Sequence, residues 1–173
     1  HYLGTDTRGW DIAATISGGF QVVLQAAVLY LGITYAIGLT IGCLMGYFGG
    51  TFDIITQRFI EILANIPFLY VVMIINNRLE PDQRTIGVII GVMCIFSWIG
   101  MTYYMRTATY REKSRDYVAA SKLLGASTPR MIFAHIIPNS ISTIVTLIPF
   151  SFAAVTTALT ALDFIGFGLP EQY

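Results

Sequence analysis

The side chains that could carry acid–base, nucleophilic or metal chemistry are few in this 173-residue chain. Its histidines are His1 and His135, and its cysteines are Cys43 and Cys94. Neither His-Glu-x-x-His nor Gly-x-Ser-x-Gly occurs, so the parts of a zinc or serine hydrolase are missing. Without a Gly-x4-Gly-Lys-Ser/Thr loop, the chain cannot cradle ATP phosphates itself. We therefore expect no catalytic residue, no metal site and no cofactor bound by this chain.

The composition favours lipid over water as the main solvent. Hydrophobic residues make up 55% of the chain and charged residues 12%, with a mean hydropathy of +0.67. A soluble domain is usually about a quarter charged. Both cysteines lie in apolar runs, which favours buried small hydrophobes over a disulfide or metal site. The net charge is zero, so binding to nucleic acid is not indicated.

Four apolar runs are long enough for a helix to cross a bilayer core about 30 Å thick, and they contain no Asp, Glu, Lys or Arg except Glu61 at the entry of the second. They lie at about 21–47, 59–76, 85–105 and 139–162. The second contains Pro67, which should kink it. The pattern predicts an all-α, polytopic transmembrane helix bundle.

Small residues recur every four positions in the first of these runs. Thr34, Gly38, Gly42 and Gly46 therefore share one helix face. Small residues at this spacing let another helix approach closely in lipid. We expect this face to pack against a neighbouring helix.

Basic residues indicate the orientation. Six of the ten Lys and Arg lie within residues 106–130. By the positive-inside rule the loop 106–138 is cytoplasmic, and segments 1–19 and 76–85 are outside.

The loop 106–138 contains a predicted helix at Tyr117–Leu124, rich in good helix formers. Asp116 is its expected N-cap and Gly125 its expected C-terminal stop. Pro129 then suits the first turn of a second helix. A helix lying on lipid head groups is the alternative that the basic residues leave open.

The loop contains Ala119-Ala120-Ser121-x3-Gly125, followed after nine residues by His135-Ile136-Ile137-Pro138. This order of residues resembles the cytoplasmic loop of ABC importer permeases. Three positions depart from that pattern: Ala119 replaces an acidic residue, Ser121 an alanine and His135 an isoleucine. The spacing from the glycine to the proline matches. The loop residues assigned to ATPase coupling are Asp116, Tyr117, Ala119, Ala120, Ser121, Gly125, Ala126, His135, Pro138 and Asn139.

Further blocks are similar to the dipeptide, oligopeptide and nickel branch of these permeases. They include the His1–Asp11 segment, where Trp10 replaces the usual arginine, and the run from Leu162 to Pro170. Asp53, Arg58, Glu61 and Pro67 also match positions in that branch. Within it the chain most resembles the second of two paired permeases, in the oligopeptide or antimicrobial-peptide importers.

The resemblance implies a type I ABC importer permease, residues 1–173 forming a single transmembrane domain with about four of some six spans. Because the chain begins at His1 and the family pattern has a further helix at each end, we expect a piece truncated at both ends. The implied partners are a second permease subunit, two ATP-binding cassette subunits and an external substrate-binding protein. The implied location is a bacterial-type inner membrane, with ATP hydrolysed by the partner subunits.

A peptide pathway without fixed charge would be lined by weakly polar side chains. The candidates are Gln25, Asn65, Thr146, Ser151, Thr156 and Thr157. Each of them could instead pack against another helix. An ion-coupled secondary transporter, which usually has ionisable residues near the midplane, and a membrane scaffold remain the alternatives.

Overall fold

The computed structural model describes residues 3–79 and 85–167, and these are helical except for short turns and one isolated bridge between Thr5 and Asp11. His1, Tyr2, the segment 80–84 and the end of the Gly/Pro run at 168–173 lie outside the described residues. In chain order the helices are α1 Ile12–Phe48, α2 Gly50–Ala64, α3 Phe68–Arg78, α4 Ile86–Lys113, α5 Asp116–Leu123, α6 Thr128–Arg130, a π-helix Met131–Ile136, α7 Ile137–Asn139 and α8 Ile141–Phe164.

Three of these helices, α1, α4 and α8, are long and apolar enough to cross a membrane. The consecutive helices α2 and α3 make a fourth candidate, bent by 63° at their break. Pro67 lies at this break as the N-cap residue of α3. The predicted all-α transmembrane bundle and the kink at Pro67 are therefore confirmed, with three spans, or four if the bent pair is one span. The chain is a multi-pass membrane protein.

The first helix begins earlier than the sequence predicted, at Ile12 instead of about Gln21. The Asp11 side chain accepts a 2.9 Å hydrogen bond from the backbone N–H of Ala13 and so caps the helix. The hydroxyls of Thr15 and Ser17 donate to carbonyls four residues back. Polar side chains satisfied in this way do not end a helix, which is why the prediction was too short.

The small-residue face of α1 packs directly against α4. A Cβ atom added to Gly42 would come within 2.5 Å of the Thr102 carbonyl oxygen, and one on Gly38 within 2.6 Å of Met101 Cβ. At Gly46 it would meet Thr109 Cβ at 2.6 Å. The predicted close helix approach is confirmed, and the partner helix belongs to the same chain.

The C-terminal end of α4 also differs from the prediction. Residues 106–113, expected to open the loop, continue the α4 helix as far as Lys113. They bury Ala108, Thr109 and Glu112. The loop proper therefore begins at Ser114.

A two-glycine turn joins α1 to α2 and brings α2 against α4. Gly49 and Gly50 have φ of +63° and +54°, a backbone region that strongly favours glycine. This reversal places Asp53, in the first turn of α2, beside Arg106 and Tyr110 of α4.

Candidate functional site

The short helix α5 is built almost as the sequence predicted. It spans Asp116–Leu123 against a predicted Tyr117–Leu124. Arg115 is the N-cap residue, so the prediction for Asp116 was wrong by one position. Asp116 lies instead in the first turn, where its negative charge favours the positive end of the helix dipole.

Gly125 ends α5 in the predicted manner. Its φ is +81°, and its N–H donates to the Lys122 carbonyl at 3.0 Å. The N–H of Ala126 donates to the Ser121 carbonyl at 3.1 Å. This pair of bonds is the Schellman motif, which requires a left-handed residue at the glycine position. An added Cβ at Gly125 would touch nothing within 4 Å, so the requirement is conformational and not steric.

One side of α5 is attached to the molecule and the other is open. Val118 is buried, whereas Ala119 and Ala120 are exposed and Ser121 is half-buried. Leu123 and Leu124, at the tip, are each 89% exposed. These two leucines were expected only as helix formers, and their exposure was not predicted. The exposed tip of α5, formed by Leu123 and Leu124, is therefore an apolar projection between two membrane spans, and we call it the knob.

A buried carboxylate holds α5 to α4. Glu112 is only 5% exposed, and its Oε2 accepts a 2.9 Å hydrogen bond from the Tyr117 hydroxyl. Arg111 and Arg115 approach it at 3.5 and 3.7 Å, with their own side chains more than half exposed. Burial, and then the neighbouring Glu112, raise the pKa of Tyr117 to about 12. Tyr117 therefore stays protonated at neutral pH and serves as the donor.

The segment after α5 docks by its apolar residues. Ser127 precedes α6, with Pro129 in its first turn, as predicted. The π-helix Met131–Ile136 follows, and its buried Ile132 and Ile136 pack with Met105 and Ala108.

The π-helix was not predicted. Pro138 offers no N–H to the preceding turn and would clash there in a regular α-helix, so a wider turn relieves both problems. His135 lies 6.4 Å from Tyr117, centroid to centroid, and Asn139 Nδ2 donates to the His135 carbonyl at 2.6 Å. Ala126 is half-buried, while Pro138 and Asn139 are exposed.

A cavity of about 510 Å³ lies between α5 and the end of α1. Its walls include Tyr47, Lys113 and Lys122. Lys113 Nζ donates a 2.5 Å hydrogen bond to the Tyr47 carbonyl, which ties the ends of α1 and α4 together. The knob thus lies beside a cavity whose walls are partly basic.

The pathway candidates separate into two groups. Ser151 faces a groove of about 200 Å³ between α1, α4 and α8, where its hydroxyl lies 3.0 Å from that of Tyr35. Thr146 lines an adjoining cavity that shares Tyr104 and Leu147 with the groove.

The other candidates do not line either cavity. Gln25 is exposed on α1, and Asn65 donates to the Glu61 carbonyl beside the bend. Thr156 and Thr157 donate to the carbonyls four residues before them in α8.

Residues 38–170 match the family of binding-protein-dependent transport system inner membrane components. The chain belongs to this family. The matched residues include the whole segment from α5 to α8 and the Gly face of α1.

Permease proteins of several transport systems are similar along nearly the whole chain. The peptidoglycan transport system permease protein YejE of Agrobacterium fabrum is 36% identical over 98% of this chain and 44% of its own length. The oligopeptide transport system permease protein OppC of Lactococcus lactis is 35% identical over 98% and 57%. The dipeptide transport system permease protein DppC of Haemophilus influenzae is 33% identical over 97% and 56%. The chain therefore spans about half the length of the curated relatives it matches, and the resemblance to this family is confirmed.

Two features of this permease chain were missed by sequence interpretation. The burial of Glu112 was not predicted, and Asp53 was considered only as part of a family pattern. The available signal was position: each acid occurs near a run of apolar residues and within reach of a basic residue on the same side of the membrane. Buried acids of this kind are almost always paired.

Proposed function

We propose that the chain forms part of a permease subunit of an ATP-driven importer of peptides or peptide-like substrates. Membership of the binding-protein-dependent family supports this class. Relatives carry the names of peptidoglycan, oligopeptide and dipeptide transport systems. A second permease subunit, two ATP-binding cassette subunits and an external substrate-binding protein complete the importer. ATP is hydrolysed by the cassette subunits, and this chain binds no cofactor.

The observation that carries the proposal is the exposed tip of α5. Leu123 and Leu124 are uncovered, yet the helix behind them is fixed by Val118, Glu112 and the Gly125 turn. A rigid apolar knob outside the membrane suits insertion into a cleft of another protein, because little conformational entropy is lost on binding. An interfacial helix on head groups would gain less from such a fixed mounting.

The knob is on the cytoplasmic side in this proposal. Residues 106–130 hold most of the basic side chains, and such an excess is typical of cytoplasmic segments. Residues 1–173 act as one transmembrane domain of a bacterial-type inner-membrane protein, with the coupling region at 106–138.

Movement of the knob then drives the transport cycle. Closure of the two ATPases on nucleotide shifts α5, and α4 and the π-helix move with it because Glu112, Ile132 and Ile136 join them. The bundle alternates between outward and inward access as a rigid-body change. The groove with Ser151, and Thr146 beside it, supplies uncharged hydroxyls to a passing peptide backbone.

The test is co-purification. The complete subunit from which this chain comes is expressed in its native membrane, extracted in mild detergent, and its partners are identified. Gly125→Val and Ala120→Trp are compared with the wild type. We expect an ATPase to accompany the wild type and to be reduced with both variants, because one strains the turn and the other blocks the exposed face.

Matched controls lie elsewhere in the chain. Gly166 also has a positive φ, +79°, and no atom within 4 Å of an added Cβ, so Gly166→Val tests strain alone. Ala14 is exposed near the start of α1, so Ala14→Trp tests bulk alone. If no ATPase accompanies the wild type, the importer assignment fails and the ion-coupled or scaffold alternatives return. Equal ATPase recovery with all variants would show that α5 is not the docking site.

A further inference from the structure

A second buried carboxylate joins α4 to α2, and the proposed coupling route makes no use of it. Asp53 is 5% exposed, and both of its oxygens are engaged by one arginine. Arg106 Nε donates to Oδ1 at 2.6 Å and a terminal nitrogen donates to Oδ2 at 2.5 Å. The Tyr110 hydroxyl donates to Oδ2 at 2.8 Å. Bidentate pairs of this kind fix geometry as well as charge.

The arginine is held from a second direction. Its guanidinium carbon lies 5.3 Å from the centroid of the Tyr110 ring, one turn further along α4. The positive-φ turn at Gly49–Gly50 fixes where α2 starts, and an added Cβ at Gly49 would lie 3.5 Å from the Tyr110 hydroxyl. The position of α2 relative to α4 is therefore set by a short turn and a buried ionic contact together.

The same stretch of α4 carries the contact to α5. Arg106 and Tyr110 face α2, and Glu112, within the next turn, receives the Tyr117 hydroxyl of α5. On its far side α2 leads to Pro67 and the 63° bend into α3. A displacement of α5 thus has a continuous path of specific contacts to the bent span.

We propose that Asp53 and Arg106 are positioning residues. They make the bent span α2–α3 move together with α4 when α5 displaces α4 in each transport cycle. This inference rests on the proposed importer function. Breaking the pair leaves α5 and its docking face intact, so ATP is still bound and hydrolysed by the partner. The bent span no longer follows α4, so hydrolysis proceeds with little transport.

The experiment uses the complete importer in proteoliposomes, with transported peptide and hydrolysed ATP measured in the same sample. Asp53→Asn removes the charge at constant size, and Arg106→Lys keeps the charge without the two-pronged contact. We expect the ratio of peptide to ATP to fall roughly tenfold in Asp53→Asn and less in Arg106→Lys. The exchanged pair Asp53→Arg with Arg106→Asp should recover part of the ratio.

The control is an exposed ion pair on the same helix. Arg58 and Glu61 lie 2.6 Å apart within α2, and the Arg58 side chain is 73% exposed, so Arg58→Gln should leave the ratio unchanged. A purely structural role for Asp53 would lower peptide and ATP turnover together, in step with the amount of assembled importer, and would overturn the proposal.

A distance measurement covers the case in which variants assemble poorly. Spin labels at the exposed positions Thr51 of α2 and Thr107 of α4 report on the separation of the two helices. We expect an unchanged distance between nucleotide-free and nucleotide-trapped wild type, and a changed one in Asp53→Asn. A wild-type distance that itself changes between the two states would overturn the inference. A wild type that shows no ATP-dependent uptake at all would instead reject the importer function on which it rests.

Discussion

The Tyr117 hydroxyl donates a 2.9 Å hydrogen bond to Oε2 of Glu112, linking the first turn of α5 to the last turn of α4. The acceptor is buried and ionic, which makes such a bond stronger than one between neutral groups. The two helices are separated only by Ser114 and Arg115, so this bond, together with the burial of Val118, keeps α5 from swinging on a short hinge.

Tyr117→Phe removes this hydrogen bond while it keeps the ring that packs near His135. Glu112 then loses a donor inside the protein, and we expect the attachment of α5 to weaken by about 2 kcal/mol. Hydrogen exchange of the α5 amides should quicken accordingly, because local opening becomes easier. Tyr70→Phe is the control, since Tyr70 is mostly exposed on α3. Equal α5 exchange rates in all three proteins would contradict the role given to the bond.

The same contact predicts a loss of stability at alkaline pH. In the folded chain the pKa of Tyr117 is raised to about 12, above the value of about 10 expected once the chain unfolds. Between these two values the unfolded chain releases a proton that the folded chain retains, so folding becomes less favourable as pH rises. The contribution is intact below about pH 10 and disappears progressively up to about pH 12. Unfolding midpoints measured across this range should fall more steeply for the wild type than for Tyr117→Phe, and parallel curves would count against it.

The packing of α1 on α4 predicts a sharp contrast between two glycines. Gly42→Ala places a methyl group 2.5 Å from the Thr102 carbonyl oxygen and 2.8 Å from Met105 Cβ, and backbone cannot yield as a side chain can. We expect the variant to lose about 2 kcal/mol of unfolding free energy in detergent, typical of an overpacked core. Gly32, on the same helix, has nothing within 4 Å of an added Cβ. Gly32→Ala should be neutral or stabilising by up to about 1 kcal/mol, because alanine favours the helix. Equal effects of the two changes would show that α1 and α4 are not in close contact.

The elements that follow local rules were predictable from the sequence, and those set by tertiary contacts were not. Gly125 and Pro67 end or bend helices through their own backbone properties, and both act as expected. The start of α1 was missed because Thr15 and Ser17 are satisfied within the helix, which composition does not reveal.

The same distinction between local rules and tertiary contacts applies to the candidate site. The spacing of Gly125 and Pro138 indicated the loop, but the burial of Glu112 depends on Tyr117 returning against α4 after a tight turn. Likewise, nothing in the order of residues states that Asp53 meets Arg106, fifty-three positions later, because that contact requires the Gly49–Gly50 reversal. The exposure of Leu123 and Leu124 follows only once the buried side of α5 is known.

The tip of α5 gives the most direct prediction about partner binding. Leu123→Ser and Leu124→Ser change side chains that are each 89% exposed, so folding and membrane insertion should be unaffected. If both leucines enter a cleft of the ATPase, each substitution removes about 1.5–3 kcal/mol of burial, a weakening of roughly 10- to 100-fold in Kd. Titration of the purified complete subunit with its ATPase measures this directly. Val118→Ser is the contrasting variant, because Val118 lies on the buried side of α5 and its loss should lower stability as well as binding. Unchanged affinity in both leucine variants would mean that the ATPase contacts another face of the loop.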